Sequence, residues 1–163
     1  MADKRRFELF AQLLTSRYPH ARRVFDIAGG MGKLNEALSS LGCEVTTFDR
    51  RAKHLPVKFA ERIFTLDEPC ECDLVVGMHP DGATRVIIEY AAKHQVPFAV
   101  VPCCSDNSMP YNPWMRHLTE LAVSLGLEAA EVTLDMSGRA RVITGAPKAQ
   151  LRTQMPPDQA QHP

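Results

Sequence analysis

Three glycines that fall within four residues mark the first place in this chain where ligand chemistry is expected. Gly29, Gly30 and Gly32 follow a short apolar run that contains Asp26, and helical spacing of apolar residues begins at Leu34. A strand, a glycine turn and a helix in this order form a nucleotide-binding βα unit. Glycine lets the backbone take a positive φ and approach a ligand closely, and the unpaired N–H groups at a helix N-terminus favour an anionic group. The pattern therefore predicts a nucleotide site.

Two phosphate-binding patterns do not fit this turn. A dinucleotide fingerprint counted from Gly30 reaches Asn35, where glycine or alanine is required. A P-loop fails at both ends, because Ile27 stands at its first glycine position and Leu34 follows Lys33 where Ser or Thr is required. A nicotinamide oxidoreductase is therefore disfavoured. A glycine turn that only lets a helix pack closely on a strand is the alternative without a ligand.

The turn resembles the first motif of class I S-adenosylmethionine-dependent methyltransferases, which reads acidic-hydrophobic-Gly-x-Gly-x-Gly. Residues 26–32 match it, with Ala28 in the first glycine position. The resemblance implies a Rossmann-like methyltransferase fold and S-adenosylmethionine as the cofactor. It also implies which residues of the turn bind that cofactor, namely Asp26, Ala28, Gly29, Gly30 and Gly32.

A second acidic residue lies at the distance expected for an adenosine ligand. Asp49 ends the second predicted strand, 17 positions after Gly32. An acidic residue about 20 positions after such a turn hydrogen-bonds ribose hydroxyls. The alternative is an aspartate that only caps a loop. Arg50 comes next and is expected to flank the adenine or a polyanionic substrate, with a solvated loop as the alternative.

Further cofactor contacts are expected after the third and fourth strands. The resemblance implies that Asp67, which follows a third strand predicted over residues 62–66, accepts from the adenine amino group. Gly77 and Met78 end the fourth predicted strand and are assigned to the cofactor site as well. Ligands in open α/β sheets bind beyond the carboxyl ends of the strands, which is where these residues are expected.

Four residues at the ends of the fourth and fifth strands are the candidates for catalysis. His79 is the best general base because its unperturbed pKa is about 6.5, and Asp81 either orients it or replaces it. Cys103 or Cys104 is a candidate nucleophile, as in enzymes that activate C5 of a pyrimidine. The alternatives are a turn histidine bonded to the backbone and cysteines that pack as small hydrophobic residues.

The turn at His79 and the Pro102-Cys103-Cys104 run together resemble one branch of class I methyltransferases. That branch includes eukaryotic tRNA 2′-O-methyltransferases, and the resemblance covers about residues 24–104. It implies RNA as a candidate acceptor. The chain departs from the branch because it is short and has no added RNA-binding domain. It also lacks the Pro-Pro-aromatic turn that marks N6-adenine methylation.

Apolar periodicity predicts one α/β domain over residues 1–147, built on a mostly parallel sheet. Helices are predicted over residues 4–17, 33–41, 86–95 and 114–125, strands over 22–28, 44–48, 62–66, 73–78 and 97–101, and a terminal antiparallel hairpin over 130–136 and 141–144. Residues 148–163 contain few apolar side chains and are predicted to form a disordered tail.

The composition limits the partners and the location. The 163 residues have a formal net charge of zero, so no global field attracts nucleic acid or a membrane. No apolar run reaches the length of a membrane span, and the odd number of five cysteines favours a reduced, cytoplasmic setting. Cys70 and Cys72 precede a strand about 16 Å long, which disfavours a metal site shared with the cysteines beyond it, and no metal is expected. A partial metal site from His79, Cys103 and Cys104 is the alternative.

The sequence thus predicts S-adenosylmethionine-dependent methyl transfer to an unidentified acceptor. A catalytically silent module of the same fold, which holds the cofactor or a partner, is the second hypothesis. Neither hypothesis specifies the oligomeric state.

Overall fold

The computed structural model describes residues 3–51, 56–103 and 109–150. Within these ranges the chain forms four helices and seven strands, in the order α1 (Arg6–Arg17), β1 (Arg23–Ile27), α2 (Lys33–Ser40), β2 (Glu44–Asp49), β3 (Phe59–Glu61), β4 (Leu74–Met78), α3 (Thr84–His94), β5 (Phe98–Val101), α4 (Tyr111–Ser124), β6 (Leu127–Thr133) and β7 (Arg141–Pro147).

The strands form one sheet in the order β3-β2-β1-β4-β5-β7-β6. The first five strands of this order run parallel, whereas β7 lies antiparallel between β5 and β6. The order reverses between β1 and β4, and this switch point is where an open α/β sheet leaves a crevice for a ligand. The predicted parallel sheet with an antiparallel pair at one side is confirmed.

Helices cover both faces of the sheet, because the central strands are apolar on both sides. All five residues of β4 and all four of β5 are buried, which is typical of parallel strands with helices on both faces. On one face Phe10 and Leu14 of α1 pack with Leu38 of α2, and on the other Ile87 of α3 packs with Met115 of α4. These two layers fix the carboxyl ends of β1, β2 and β4 relative to one another.

The predicted third strand is displaced and must be corrected. β3 consists of residues 59–61 and pairs with β2 from Thr47↔Phe59 onward, whereas residues 62–66 form no strand. The apolar side chains of that run have a different use. Phe64 is buried edge-to-face against Phe48, with ring centroids 5.2 Å apart, while Ile63 is 69% exposed. The apolar composition of residues 62–66, which predicts a strand, therefore reflects the burial of Phe64.

The chain beyond α4 also differs from the prediction in its bounds. β6 begins at Leu127 and not at residue 130, because it pairs with β7 along its whole length, from Leu127↔Pro147 to Thr133↔Arg141. Residues 148–150 have a helical backbone, and the Gln150 side-chain amide donates to the carbonyl oxygen of Gln95 at 3.1 Å. The rest of the predicted disordered tail, residues 151–163, lies outside the described residues. Among the helices described, none is long and apolar enough to cross a membrane.

Gly145 of β7 gives a test of how tightly β5 and β7 pack. A Cβ at this position would lie 2.3 Å from Cε1 of Phe98, its partner on β5. We expect Gly145→Ala to lower the free energy of unfolding by about 1–3 kcal/mol through overpacking, measured by urea denaturation. The same substitution in a Phe98→Leu background should cost less, because the ring edge is gone. An equal cost in both backgrounds would contradict this origin.

Candidate functional site

A cleft of about 790 Å³ opens at the carboxyl ends of β1, β2 and β4, at the switch point of the sheet. This volume lies within the range of small-molecule sites, which is about 300–1,000 Å³. Its lining comes from four segments, namely the glycine turn (Ala28, Gly30, Met31), the end of β2 (Phe48, Asp49, Arg50, Arg51), the loop after β3 (Arg62, Ile63, Phe64) and the turn after β4 (His79, Asp81, Gly82, Ala83).

The glycine turn has the backbone that the sequence predicted. Gly30 and Gly32 have φ values of 56° and 70°, and Gly32 stands at the N-cap of α2. Ala28 also lies in the left-handed region, with φ 54°. This conformation costs a non-glycine residue of order 1–3 kcal/mol, which explains why glycine is the usual residue at that position of the motif.

Asp49 ties this turn to β2. Its Oδ2 accepts from the Gly30 N–H at 3.0 Å, and its Oδ1 accepts from the Arg51 N–H at 3.0 Å. A carboxylate has about four lone-pair positions, so each oxygen can still accept another hydrogen bond. Asp49 lines the cleft and is half-buried, so a ligand with hydroxyl donors would find an oriented acceptor there.

A buried polar network lies directly beneath the turn. Asp26 is fully buried, and its Oδ2 accepts from the Thr47 hydroxyl at 3.0 Å. The Thr47 oxygen accepts in turn from the Asn35 amide at 3.0 Å, and that amide also contacts the carbonyl oxygens of Val45 and Lys58. This use of Asn35 explains why the dinucleotide fingerprint fails there, since the residue links α2 to β2.

Burial raises the pKa of the Asp26 carboxyl from 3.8 to about 7, and this is the largest contribution. The hydrogen bond from Thr47 lowers the pKa, and the negative charge of Asp49 raises it. The other carboxyl oxygen, Oδ1, is buried with no hydrogen-bond partner in the described residues. A carboxyl with only one hydrogen-bond donor in an apolar surrounding is easier to protonate than an exposed one.

Gly29 is required by this network and does not line the cleft. A Cβ at Gly29 would lie 2.1 Å from Oδ2 of Asp26 and 2.6 Å from Cγ2 of Thr47. Of the five turn residues expected to bind the cofactor, Ala28 and Gly30 line the cleft, whereas Asp26, Gly29 and Gly32 shape the turn from behind.

His79 follows β4 and lines the cleft in an unusual backbone conformation, with φ 53°. Its N–H donates to the carbonyl oxygen of Val101 at 2.9 Å, so the turn is attached to β5. Its ring Nε2 lies 3.3 Å from the carbonyl oxygen of Arg139, in the connection between β6 and β7. Because a carbonyl oxygen only accepts, this contact assigns the proton to Nε2 and leaves a lone pair on Nδ1.

Partial burial is the main reason that the pKa of His79 lies below its ordinary value. The Arg139 carbonyl raises the pKa, and the positive charge of Arg6 lowers it. The imidazole is therefore neutral at pH 7, which is the form that a general base requires.

The other catalytic candidates separate in space. Asp81 is exposed and lines the cleft with φ 28°. Cys103 is half-buried and does not line the cleft. Cys104 lies outside the described residues.

Three expected cofactor residues have other surroundings. Gly77 faces away from the cleft, because a Cβ there would lie 2.7 Å from Ile87 Cδ1 and 2.9 Å from Pro80 Cβ. Met78 is 7% exposed within the hydrophobic core. The side chain of Asp67 is 95% exposed and forms an ion pair with Lys93 in the last turn of α3, which points away from the cleft.

The loop after β3 supplies lining residues that the sequence analysis did not identify. Arg62 forms an ion pair with Glu68 at 2.5 Å and stacks on Phe48, with its Cζ 5.1 Å from the ring centroid. Ile63 and Phe64 complete the apolar wall. The apolar run at residues 62–66 could have indicated an apolar wall of the cleft, but its prediction as a strand placed these residues in the sheet. In the three described ranges no group of three or more His, Cys, Asp or Glu residues could hold a metal ion.

No protein-family model and no curated protein matches the chain by sequence. Solved structures do match its fold. A ribosomal protein L11 methylase from Lactobacillus delbrueckii subsp. bulgaricus matches with a TM-score of 0.67 at 14% identity, over 91% of this chain and 81% of that one. A precorrin-6y C5,15-methyltransferase from Geobacter metallireducens matches with a TM-score of 0.62 at 15% identity, over 85% and 87%.

A third similar structure, from Burkholderia thailandensis, is 1,6-didemethyltoxoflavin-N1-methyltransferase with bound substrate and S-adenosylhomocysteine. It has a TM-score of 0.61 at 14% identity, over 88% of this chain and 78% of that one. At such low identity these similarities establish the fold and no more. The chain has the Rossmann-like fold of class I S-adenosylmethionine-dependent methyltransferases, as the glycine turn predicted.

The Asp26 carboxyl predicts a pH dependence of stability. Its pKa is 3.8 in the unfolded chain and about 7 in the folded protein, so the folded state binds more protons between about pH 4 and 7. Relative to Asp26→Asn, we expect the wild type to lose up to about 4 kcal/mol of unfolding free energy across this window, measured by urea denaturation at several pH values. Asp67→Asn, which changes an exposed carboxylate, is the control, and its pH profile of unfolding free energy should run parallel to that of the wild type. If the profile of Asp26→Asn also ran parallel to that of the wild type, the prediction would be contradicted.

Proposed function

We propose that this protein binds S-adenosylmethionine in the carboxyl-edge cleft and transfers its methyl group to an acceptor. One observation carries the proposal. The left-handed glycine turn, the oriented Asp49 carboxylate and the neutral His79 imidazole all face the same cleft. A turn that served only helix packing would not explain an acidic acceptor and a candidate base around a cavity of this size.

The described residues fit this ligand by chemistry. Asp49 has free lone pairs for ribose hydroxyls, and its position after β2 is where such an acceptor is expected. Phe48, Ile63 and Phe64 offer an apolar wall for a planar base. The Gly30 backbone lines the cleft without a side chain, which allows close approach. Arg50 at the same end would flank the base.

His79 is the proposed general base. S-adenosylmethionine, when bound, supplies an electrophilic methyl carbon on a positively charged sulfur. With that donor bound, Nδ1 of His79 would take the proton of the acceptor atom as the methyl group moves to that atom from sulfur, which would keep the electron pair of the broken bond. The contact of Nε2 with Arg139 holds the ring in the required tautomer. Asp81 is the alternative base, and a cysteine nucleophile is the alternative for a pyrimidine acceptor.

A catalytically silent cofactor-binding module is the second candidate, favoured by one specific observation. Both the backbone N–H and the ring of His79 are already bonded to the protein backbone, as in a structural turn histidine. Incubation with radiolabelled S-adenosylmethionine and a cell extract separates the two. Label transfer supports the enzyme, whereas cofactor binding without any transfer supports the module.

The proposal also includes a candidate acceptor and a location for the protein. The His turn and Pro102-Cys103 resemble a tRNA 2′-O-methyltransferase branch, so RNA is one acceptor to test. A cytoplasmic location fits the described residues Cys43, Cys70 and Cys72, none of which forms a disulfide.

Asp49 and Gly30 provide the test of the cofactor site. We expect Asp49→Ala to weaken S-adenosylhomocysteine binding by about 1.5–3 kcal/mol, because a charged acceptor for the ribose is lost. Gly30→Val should weaken it as well, since a branched side chain would occupy the close approach. Asp67→Ala, which removes an exposed carboxylate outside the cleft, is the matched control for calorimetric titration. Unchanged affinity in both folded cleft variants would refute the assignment.

His79→Ala separates catalysis from binding. Loss of a general base should reduce methyl transfer by about 10²–10⁴-fold, while the affinity for S-adenosylhomocysteine stays near that of the wild type. His20→Ala is the control, because His20 is exposed before β1, at the opposite edge of the sheet. Full activity of His79→Ala would show that His79 is not the base. Either Asp81 would then be the base, or the protein would act only by positioning the acceptor.

A further inference from the structure

Two arginines, a histidine and a tyrosine form a cluster beside the cleft. It consists of Arg6, His79, Tyr111 and Arg139, which come from α1, the turn after β4, α4 and the β6–β7 connection. The ring of His79 and the carbonyl oxygen of Arg139 are in contact at 3.3 Å, so the candidate base and the β6–β7 connection adjoin.

Arg139 is held in place by stacking on an aromatic ring. Its Cζ lies 3.8 Å from the centroid of the Tyr111 ring, and that ring packs against the core. No carboxylate of the described residues lies within ion-pair distance of Arg139. Its neighbour Arg141 differs, since Arg141 forms a two-pronged ion pair with Glu131 and contacts Asn112 at 2.8 Å. Stacking uses the face of the Arg139 guanidinium and leaves its N–H edge available for an anion.

Arg6 brings a second guanidinium to the same cluster, and no carboxylate of the described residues forms an ion pair with it. It is half-buried, it donates to the backbone carbonyl of Asp3 at 3.3 Å, and its Cζ stacks 4.5 Å from the centroid of the Phe7 ring. The Asp3 carboxylate is paired with Arg5 instead, at 3.1 Å. Asp3, to whose carbonyl oxygen Arg6 donates, also accepts from the Ser137 N–H through its carboxylate at 3.4 Å, so Arg6 lies beside the β6–β7 connection that contains Arg139.

We propose that the methyl acceptor is a small molecule with a carboxylate or phosphate group, which Arg6 and Arg139 bind beside His79. This inference rests on the proposed methyltransferase function and names its substrate class. A guanidinium with a fixed plane recognises planar or tetrahedral anionic oxygens in two-pronged geometry, and the interaction fixes the orientation of the rest of the acceptor. The acceptor's nucleophilic atom would thereby be held within reach of Nδ1 of His79.

The size of the acceptor follows from the extent of the charge. The formal net charge of the whole chain is zero, and Arg5 and Arg141, which flank the cluster, are neutralised by Asp3 and Glu131. A nucleic-acid strand requires a longer basic surface that follows several phosphates. Two localised guanidinium groups match one anionic group, so the cluster favours a small acceptor over a polyanion.

The first test measures anion binding directly. The imidazole NMR signals of His79 are followed while the wild-type protein is titrated with sodium phosphate, sodium acetate or sodium chloride at matched ionic strength and pH, with and without S-adenosylhomocysteine. We expect saturable shifts with phosphate or acetate and none with chloride, and the stronger of the two oxyanions identifies the group. Absence of a saturable shift with both, or an equal response to chloride, would overturn the proposal.

Matched variants assign the effect to the two arginines. Arg6→Gln and Arg139→Gln should each weaken oxyanion binding at least tenfold, and Arg139→Lys should restore part of it. Arg22→Gln makes the same charge change before β1, at the opposite edge of the sheet, and should behave as the wild type. Circular dichroism and S-adenosylhomocysteine titration confirm that each variant is folded. Oxyanion affinity that is unchanged in both Gln variants would overturn the assignment.

The chemical nature of the labelled product gives an independent test of the proposed substrate class. After incubation with radiolabelled S-adenosylmethionine and a cell extract, the product should be of low mass, resist ribonuclease and bind an anion-exchange resin at pH 7. Ribonuclease-sensitive label, or a neutral product that passes the resin, would overturn the proposed substrate class while leaving methyl transfer intact. Failure of S-adenosylhomocysteine to bind any variant, with oxyanion binding preserved, would instead contradict the methyltransferase function.

Discussion

The arrangement of the cleft depends on one buried carboxyl group. Asp26 sits at the centre of the sheet beneath the glycine turn and joins β1 to β2 through the hydroxyl of Thr47. Its Oδ2 lies where any side chain on Gly29 would collide. The turn therefore follows the position of this carboxyl, and Asp49 then holds the turn from the other side. Burial of an acidic group is costly, and the cost is reduced because the group is easily protonated.

The same network connects distant parts of the chain. Asn35 of α2 donates to the carbonyl oxygen of Lys58 just before β3, so the first helix after the turn and the outermost parallel strand share one amide group. A change at Asn35 would therefore affect both the start of β3 and the acceptor environment of Thr47. Breaking any hydrogen bond of this network would leave a further buried polar group unsatisfied, which disfavours other arrangements.

The central strands could be predicted from the sequence because each of them has its own apolar run and is buried on both faces. Position at the cleft could be predicted where backbone conformation decides it, as at Gly30, and where spacing from the turn decides it, as at Asp49. It could not be predicted where the direction of a side chain decides it. Gly77 and Met78 do end a strand at the correct edge, but alternation along β4 directs them into packing and not into the cleft.

Contacts between distant segments could not be predicted at all. Arg6 and Arg139 are 133 positions apart in the chain, and neither belongs to a periodic pattern that relates it to His79. The loop at residues 62–66 was misassigned because a single buried anchor, Phe64, and its exposed neighbour Ile63 together have the composition of a strand. Local propensity describes how apolar a segment is, whereas pairing with β2 determines which three residues form the edge strand.

Ala28 has a consequence for how tightly the turn can hold a ligand. A glycine in this left-handed position would sample many conformations before binding, and ordering it would reduce affinity. The methyl group of Ala28 removes much of that freedom in the unfolded chain and also strains the folded one, since φ is 54°. The turn is thus ordered at the expense of folding stability and is preorganised when a ligand arrives. A chain with this residue favours a rigid pocket over an adaptable one.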